Sequence, residues 1–90
     1  MEEIVSKSMC RLERAVGLLK NGQLDRCEFR RSIDDIAYLN LVIISGHGGQ
    51  KEYIIENDQG SCLNILTYDQ ALSIALKIGF APEQIKINLF

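Results

Sequence analysis

The residues best suited to chemistry lie in a short glycine-rich loop, Ser45-Gly46-His47-Gly48-Gly49. This loop follows directly after the hydrophobic run 39–44, whose composition is typical of a strand buried on both faces. Because an imidazole has an unperturbed pKa of about 6.5, His47 can act as a general base or acid near neutral pH. The alternative is purely structural: the glycines end the strand, and His47 is an exposed loop side chain.

The loop and its preceding strand resemble the histidine loop of the caspase-like cysteine peptidases, the family of caspases, metacaspases and gingipain-type enzymes. In that family, a hydrophobic strand leads into Ser-Gly-His-Gly, and a later parallel strand delivers the nucleophilic cysteine. The resemblance implies that His47 is the base, that Gly48 lies beside the oxyanion site, and that residues 85–90 form the strand before the nucleophile. No cysteine follows that strand in the sequence, which leaves Cys62 as the candidate nucleophile under this hypothesis.

The three cysteines, Cys10, Cys27 and Cys62, are an odd number, and their spacing fits neither a CxxC motif nor a zinc-binding pattern. This favours free thiols in a reducing compartment. A zinc site would have to gather all three thiols and His47 from four distant positions, so we predict neither a metal ion nor a cofactor. The structural alternative for Cys62 is the usual role of a free cysteine, a small buried hydrophobe.

A second candidate site consists of basic side chains on the N-terminal half of the chain. They are Arg11 and Arg14, with Lys7, on one predicted helix, and Arg26, Arg30 and Arg31 on the next. Acidic residues interrupt this surface, and the net charge of −2 argues against nucleic acid as a partner. We therefore predict that these arginines bind another protein that presents an acidic surface. The alternative is that they lie on an ordinary solvated helix face.

The elements expected to position these residues follow from hydrophobic periodicity and from helix-capping signals. In chain order they are helices at about 3–20 and 25–38, strands at 39–45, 53–56 and 62–66, a helix at about 68–78, and a strand at 85–90. Asp25 and Glu28 have the spacing of a capping box for the second helix, and Thr67 and Gln70 have it for the third. Gly79 is expected to end the third helix.

This order, α-α-β-β-β-α-β, predicts one α+β domain over residues 1–90. An N-terminal αα-hairpin and a third helix would pack on a small mixed sheet of about four strands. The inner face of the third helix is predicted to contain Ala71, Leu72, Ala75 and Ile78. The strands at 39–45 and 85–90 are expected to be parallel neighbours, because the segment between them is long enough for a crossover.

The apolar runs are far shorter than the roughly 20 residues of a membrane-spanning helix. The first residues, Met-Glu-Glu, lack the features of a secretory signal, so we expect a cytoplasmic protein with no membrane partner. The leading functional hypothesis is a small intracellular regulator or inhibitor that binds another protein, with a homodimer kept as an alternative. The second hypothesis is a fragment or subunit of a caspase-like cysteine peptidase with His47 as general base.

Overall fold

The computed structural model describes residues 8–32, 37–45 and 51–88. Within them, five strands form one mixed sheet and two α-helices pack on one of its faces. The strands are β1 Ser8–Cys10, β2 Leu24–Arg31, β3 Leu39–Ser45, β4 Lys51–Ile55 and β5 Ile85–Asn88, and the helices are α1 Leu12–Lys20 and α2 Tyr68–Ile78. The fold is therefore α+β, with the order β-α-β-β-β-α-β.

The strand order in the sheet is β1-β4-β3-β2-β5. β2, β3 and β4 form an antiparallel centre, and the edge strands β1 and β5 run parallel to β4 and β2 respectively. β3 occupies the middle of the sheet and is buried along its length up to the half-buried Ser45, which confirms the strand predicted at 39–45. The prediction that β3 and β5 are parallel neighbours is wrong, because β2 lies between them.

The predicted αα-hairpin is wrong, because the residues assigned to the start of its second helix form strand β2. Cys27 and Phe29 point into the core beneath the helices. Glu28, between them, lies on the opposite face and forms ion pairs with arginines of the same strand. The local capping signal of Asp25 and Glu28 is worth about 1 kcal/mol. Hydrogen bonding to β3 on one side and to β5 on the other outweighs it.

The predicted first helix is also too long at its N-terminal end. Its end at Lys20 is confirmed, and Gly22 follows with the positive φ of 74° expected beyond a helix terminus. At its start, however, Met9 and Cys10 belong to strand β1, which pairs with β4, and Arg11 is extended with ψ of 156°. The observed helix is therefore limited to the nine residues of α1.

The C-terminal half follows the predictions more closely. α2 begins with the expected capping box, in which the backbone N–H of Gln70 donates to Thr67 Oγ1 and Gln70 reaches back to the backbone of Thr67. Gly79 ends the helix with a φ of 120°. The strand predicted at 62–66 is reduced to single bridges, Cys62 to Glu56 and Ile65 to Leu39.

The main core lies between the sheet and the two helices. Its fully buried members on the sheet include Cys10, Cys27, Leu41, Ile43 and Ile55. The opposite face of the sheet, which we call the outer face, carries a smaller buried cluster of Val42, Ile44 and Ile54, with Cys62 packed against it. No helix in the described part of the chain is long and apolar enough to cross a membrane.

Candidate protein-binding site

An apolar groove runs between α2 and the edge strand β5. It encloses about 230 Å³, and its lining residues are Phe29, Tyr68, Asp69, Leu72, Pro82, Ile85 and Ile87. Six of these seven side chains are apolar or aromatic, and Asp69 is the one charged group. We refer to this depression as the α2–β5 groove.

The wall of the groove is a stripe of large apolar side chains on α2. Ala71, Ala75 and Ile78 face the sheet and are buried. Tyr68, Leu72 and Leu76, at steps of four, lie on the flank of the same helix and remain 47%, 42% and 47% exposed. Since residues four apart share one side of a helix, these three side chains form a continuous strip beside the groove.

The floor of the groove belongs to β5 and its neighbour β2. Phe29 and Ile87 are register partners on adjacent strands and therefore point to the same face of the sheet. Phe29 is buried, whereas Ile87 is 60% exposed. Among the described strands, β5 has a neighbour on one side only, so its outer backbone edge is also open. A helical wall, an apolar floor and an open sheet edge thus meet at one place.

Two other depressions are larger but chemically more mixed. One of about 460 Å³ lies on the opposite flank of α2, beside Asn64, Gln70 and Ser73. Another of about 290 Å³ lies near the start of α1 and combines Arg11, Glu13, Glu56, Asp58 and Lys77 with apolar groups. The described residues contain no cluster of His, Cys, Asp and Glu able to hold a metal ion.

The arginines predicted as binding residues are placed differently from the expectation. Arg26, Arg30 and Arg31 lie on strand β2 rather than on a helix. Arg30 donates to Glu28 at 2.9 Å and makes two further hydrogen bonds to Glu52. These hydrogen bonds, chiefly those to Glu52, raise the pKa of Arg30 above its ordinary value. Its charge is therefore matched within the fold.

The remaining basic residues are spread over separate elements. Arg26 contacts Asp25 at 3.1 Å and approaches Glu28 at 3.8 Å. Arg11, in the turn before α1, pairs with Glu56 at 3.3 Å. Arg14 is exposed on α1, away from β2 in the sequence and on a different layer. The expected continuous basic surface of two adjacent helices is not formed, and a binding role for these arginines stays a prediction.

The histidine-loop hypothesis concerns residues that lie largely outside the described part of the chain. His47 and Gly48 belong to the segment 46–50, so their predicted catalytic roles stay predictions. Cys62 is described: it pairs with Glu56 just beyond β4, and its half-buried side chain packs on the outer-face cluster. Glu56, the partner of Cys62, lies just beyond one end of β4, next to the residue that pairs with β1. Ser45 pairs with the opposite end of β4, and His47 follows Ser45 in the sequence.

The other two thiols are poor nucleophiles. Burial raises the pKa of Cys27 to about 12, and the nearby carboxylate of Glu28 acts in the same direction. Burial likewise raises the pKa of Cys10. A thiol that stays protonated is unreactive, because the thiolate is the nucleophilic form. All three cysteines are free in the structure, as the sequence predicted.

The α2–β5 groove was not predicted from the sequence, because the prediction that Leu72 lies on the inner face of its helix is wrong. The distinguishing signal was available: Ala71 and Ala75, small and four residues apart, mark the face that approaches the sheet closely. The bulkier Leu72 then falls on the flank, together with Tyr68 and Leu76. The exposure of Ile87 could not be predicted from the sequence, because it depends on the position of β5 at the edge of the sheet.

Comparison with known proteins gives a partial sequence match. No protein-family model matches the chain, and no solved structure matches it. Over 66 residues, the chain is 35% identical to a branched-chain-amino-acid aminotransferase of Mycolicibacterium smegmatis, covering 73% of this chain and 18% of that protein. A branched-chain-amino-acid aminotransferase of Mycobacterium tuberculosis H37Rv is 33% identical over 66 residues, with the same coverage. The chain thus resembles a segment of these enzymes and spans less than a fifth of their length.

Proposed function

We propose that this chain is a small protein-binding regulator that acts without catalysis and binds its partner through the α2–β5 groove. The proposal rests on the exposed side chains of Tyr68, Leu72 and Ile87, which line one groove. The exposed Leu76 extends the same strip of α2 beyond it. Grouped apolar side chains of this size are unfavourable in water, and contiguous patches of them are typical of interaction surfaces.

The shape of the groove supports an extended or helical partner segment. Helix-in-groove recognition uses an apolar strip of the partner laid into an apolar channel, and strand addition uses the free edge of a sheet. The α2–β5 groove offers the apolar channel, and β5 offers the free edge. Asp69 in the lining provides one polar contact that can fix the orientation of a partner.

The proposal is tested by placing a photo-cross-linking amino acid at single positions in cells. Leu72 and Ile87 are the test positions, and Lys77 and Lys86 are matched controls on the same two elements, exposed but absent from the groove lining. We expect discrete covalent protein adducts from the two test positions and none from the controls. Adducts from all four positions in equal yield, or from none, would contradict the proposal.

The aminotransferase similarity favours a second candidate function, the binding of a branched-chain amino acid. Leu72, Ile85 and Ile87 offer an aliphatic surface for such a side chain, and Asp69 offers a carboxylate for its ammonium group. The described lining contains no cation for its carboxylate, which is why protein binding is the leading proposal. Isothermal titration with leucine and valine tests this candidate, and saturable binding that is lost in Asp69→Asn would favour it over the first.

A further inference from the structure

A cleft of about 290 Å³ lies where the start of α1, the last turn of α2 and the turn after β4 meet. Its apolar floor consists of the fully buried Ile55 and the half-buried Leu12, Leu63 and Ile74. The backbone N–H of Leu63 donates to the carbonyl of Ile55 at 2.9 Å, which holds these two residues side by side. Ionic side chains surround this floor, and we refer to the depression as the charged cleft.

One ion pair in the charged cleft is already complete, because Arg11 Nε donates to Glu56 Oε2 at 3.3 Å. Three further charged side chains line the cleft, each from a different element. They are Glu13 in the first turn of α1, Asp58 in the turn after β4, and Lys77 in the last turn of α2. All three are exposed, and none forms an ion pair within the described part of the chain. The cleft therefore offers one cation and two carboxylates that are not matched with each other.

The fold holds groups of both signs at this cleft. Asp58 belongs to a tight turn in which Asn57 Oδ1 accepts hydrogen bonds from the backbone N–H groups of Gln59 at 2.8 Å and Ser61 at 3.0 Å. On the positive side, the N-cap residue of α1 is Arg11, whose side chain makes no capping hydrogen bond. The first N–H groups of a helix carry partial positive charge, so this helix start adds to the attraction for an anion.

We propose that the charged cleft binds a free α-amino acid with an aliphatic side chain. Such a ligand is a zwitterion: its carboxylate matches Lys77, and its ammonium group matches Asp58 and Glu13. Its side chain covers the apolar floor at Ile55 and Ile74. Sites for drug-sized ligands enclose about 300–1,000 Å³, so a cleft of about 290 Å³ suits a smaller molecule.

Ligands with only one of the two charges match the cleft less well. A carboxylic acid meets the repulsion of the two carboxylates, and an amine leaves Lys77 without a partner. An amino acid with a charged side chain places that charge against the apolar floor, which is unfavourable. The charged cleft and the α2–β5 groove share no lining residue, so an amino acid and a protein partner can be bound at the same time. Binding at the cleft is therefore independent of the proposed protein-binding function.

Isothermal titration calorimetry of the purified chain with leucine tests the proposal. The titration extends to about 10 mM, because a ligand with so few atoms supports only micromolar to millimolar affinity. Two analogues isolate the charges: leucinamide lacks the carboxylate, and N-acetylleucine lacks the ammonium group. We expect saturable binding of leucine and at least about tenfold weaker binding of both analogues, because each loses charge-assisted hydrogen bonds.

The test variants are Lys77→Gln and the double variant Glu13→Gln with Asp58→Asn, and the matched control is Asp69→Asn in the α2–β5 groove. All of these side chains are exposed, so the fold should persist, which thermal unfolding verifies. We expect both test variants to bind leucine at least about tenfold more weakly and the control to bind it like the wild type.

The absence of saturable leucine binding would overturn the proposal, as would an unchanged affinity in Lys77→Gln or an equal affinity for either analogue. Loss of leucine binding in Asp69→Asn, with binding retained in Lys77→Gln, would also overturn it and would place leucine in the α2–β5 groove. None of these results alters the cross-linking from Leu72, which tests the proposed function separately.

Discussion

Arg30 on β2 reaches across the central strand β3 and binds Glu52 on β4 through two hydrogen bonds of 2.9 and 2.8 Å. The register places Val42 of β3 between Arg30 and Glu52 on the outer face, because Asn40 is the partner of Arg30 and Ile44 is the partner of Glu52. The bridge therefore ties two strands that are not neighbours and passes over a buried apolar side chain.

We predict that this bridge contributes measurably to stability. Arg30→Met and Glu52→Gln should each lower the free energy of unfolding by about 1 kcal/mol, with a coupling energy of about 0.5–1 kcal/mol, because bidentate pairs are strong but this one is partly exposed. Urea unfolding of the single and double variants measures the coupling. The control pair, Arg26→Met with Asp25→Asn, is more exposed and should show less. Equal coupling in both pairs would contradict the assigned role.

Two glycines give opposite predictions for the same substitution. Gly79 has a φ of 120°, and a Cβ there would lie 3.2 Å from Leu19 Cδ2, so Gly79→Ala should destabilise the fold by more than about 1 kcal/mol. Gly17 lies inside α1 with no atom within 4 Å of an added Cβ, so Gly17→Ala should stabilise it by about 0.5–1 kcal/mol. Thermal unfolding of both variants checks the signs. A stabilising Gly79→Ala would show that α2 ends differently.

The buried thiol of Cys27 predicts a loss of stability at alkaline pH. Its pKa rises from 9.0 to about 12 on folding, so the folded state holds the proton more tightly than the unfolded state. The contribution of the protonated Cys27 thiol to the free energy of unfolding is therefore complete below pH 9. It is lost as the pH rises toward 12. Between pH 8 and 10, the wild type should lose on the order of 1 kcal/mol more than Cys27→Ala. Parallel pH profiles for the two proteins would show that Cys27 is not buried.

The caspase-like hypothesis makes a prediction that separates it from the binding proposal. Cys62 is the most accessible thiol of the three, so an electrophilic peptide probe should label it first. If the chain is not a peptidase, the rate should be slow and should change less than twofold in His47→Ala, since no base activates the thiol. Mass spectrometry of the labelled protein gives both site and rate. Stoichiometric labelling of Cys62 that collapses in His47→Ala would support a peptidase.

The sequence predicted those elements whose local signals agree with their tertiary surroundings. β3 is apolar along its length and central in the sheet, and α2 has a complete capping box at Thr67 and Gln70. β2 could not be predicted from its capping signal, because its conformation depends on pairing with β3 and with the distant β5. Its alternation of Cys27 and Phe29 with charged residues was the competing period-two pattern.

The candidate site was less predictable than the fold, because it depends on what remains uncovered. Sequence patterns identify residues that can be buried, but the exposure of Leu72 and Ile87 follows from the position of α2 and from the place of β5 at the sheet edge. The distribution of charged residues in the sequence instead predicted Arg26 and Arg30 as binding residues. Their partners Asp25, Glu28 and Glu52 became evident only when the strands were paired.

If the α2–β5 groove is covered by protein when the chain functions, a thiol placed inside it should be protected from maleimide in cells. Leu72→Cys and Leu66→Cys, each combined with Cys62→Ser, place one accessible thiol inside or outside the groove, while Cys10 and Cys27 are buried. We predict that the thiol at position 72 reacts at least about tenfold more slowly than the thiol at position 66, far beyond their difference in exposure, and that denaturation abolishes this protection. Similar rates at the two positions in native cells would contradict it.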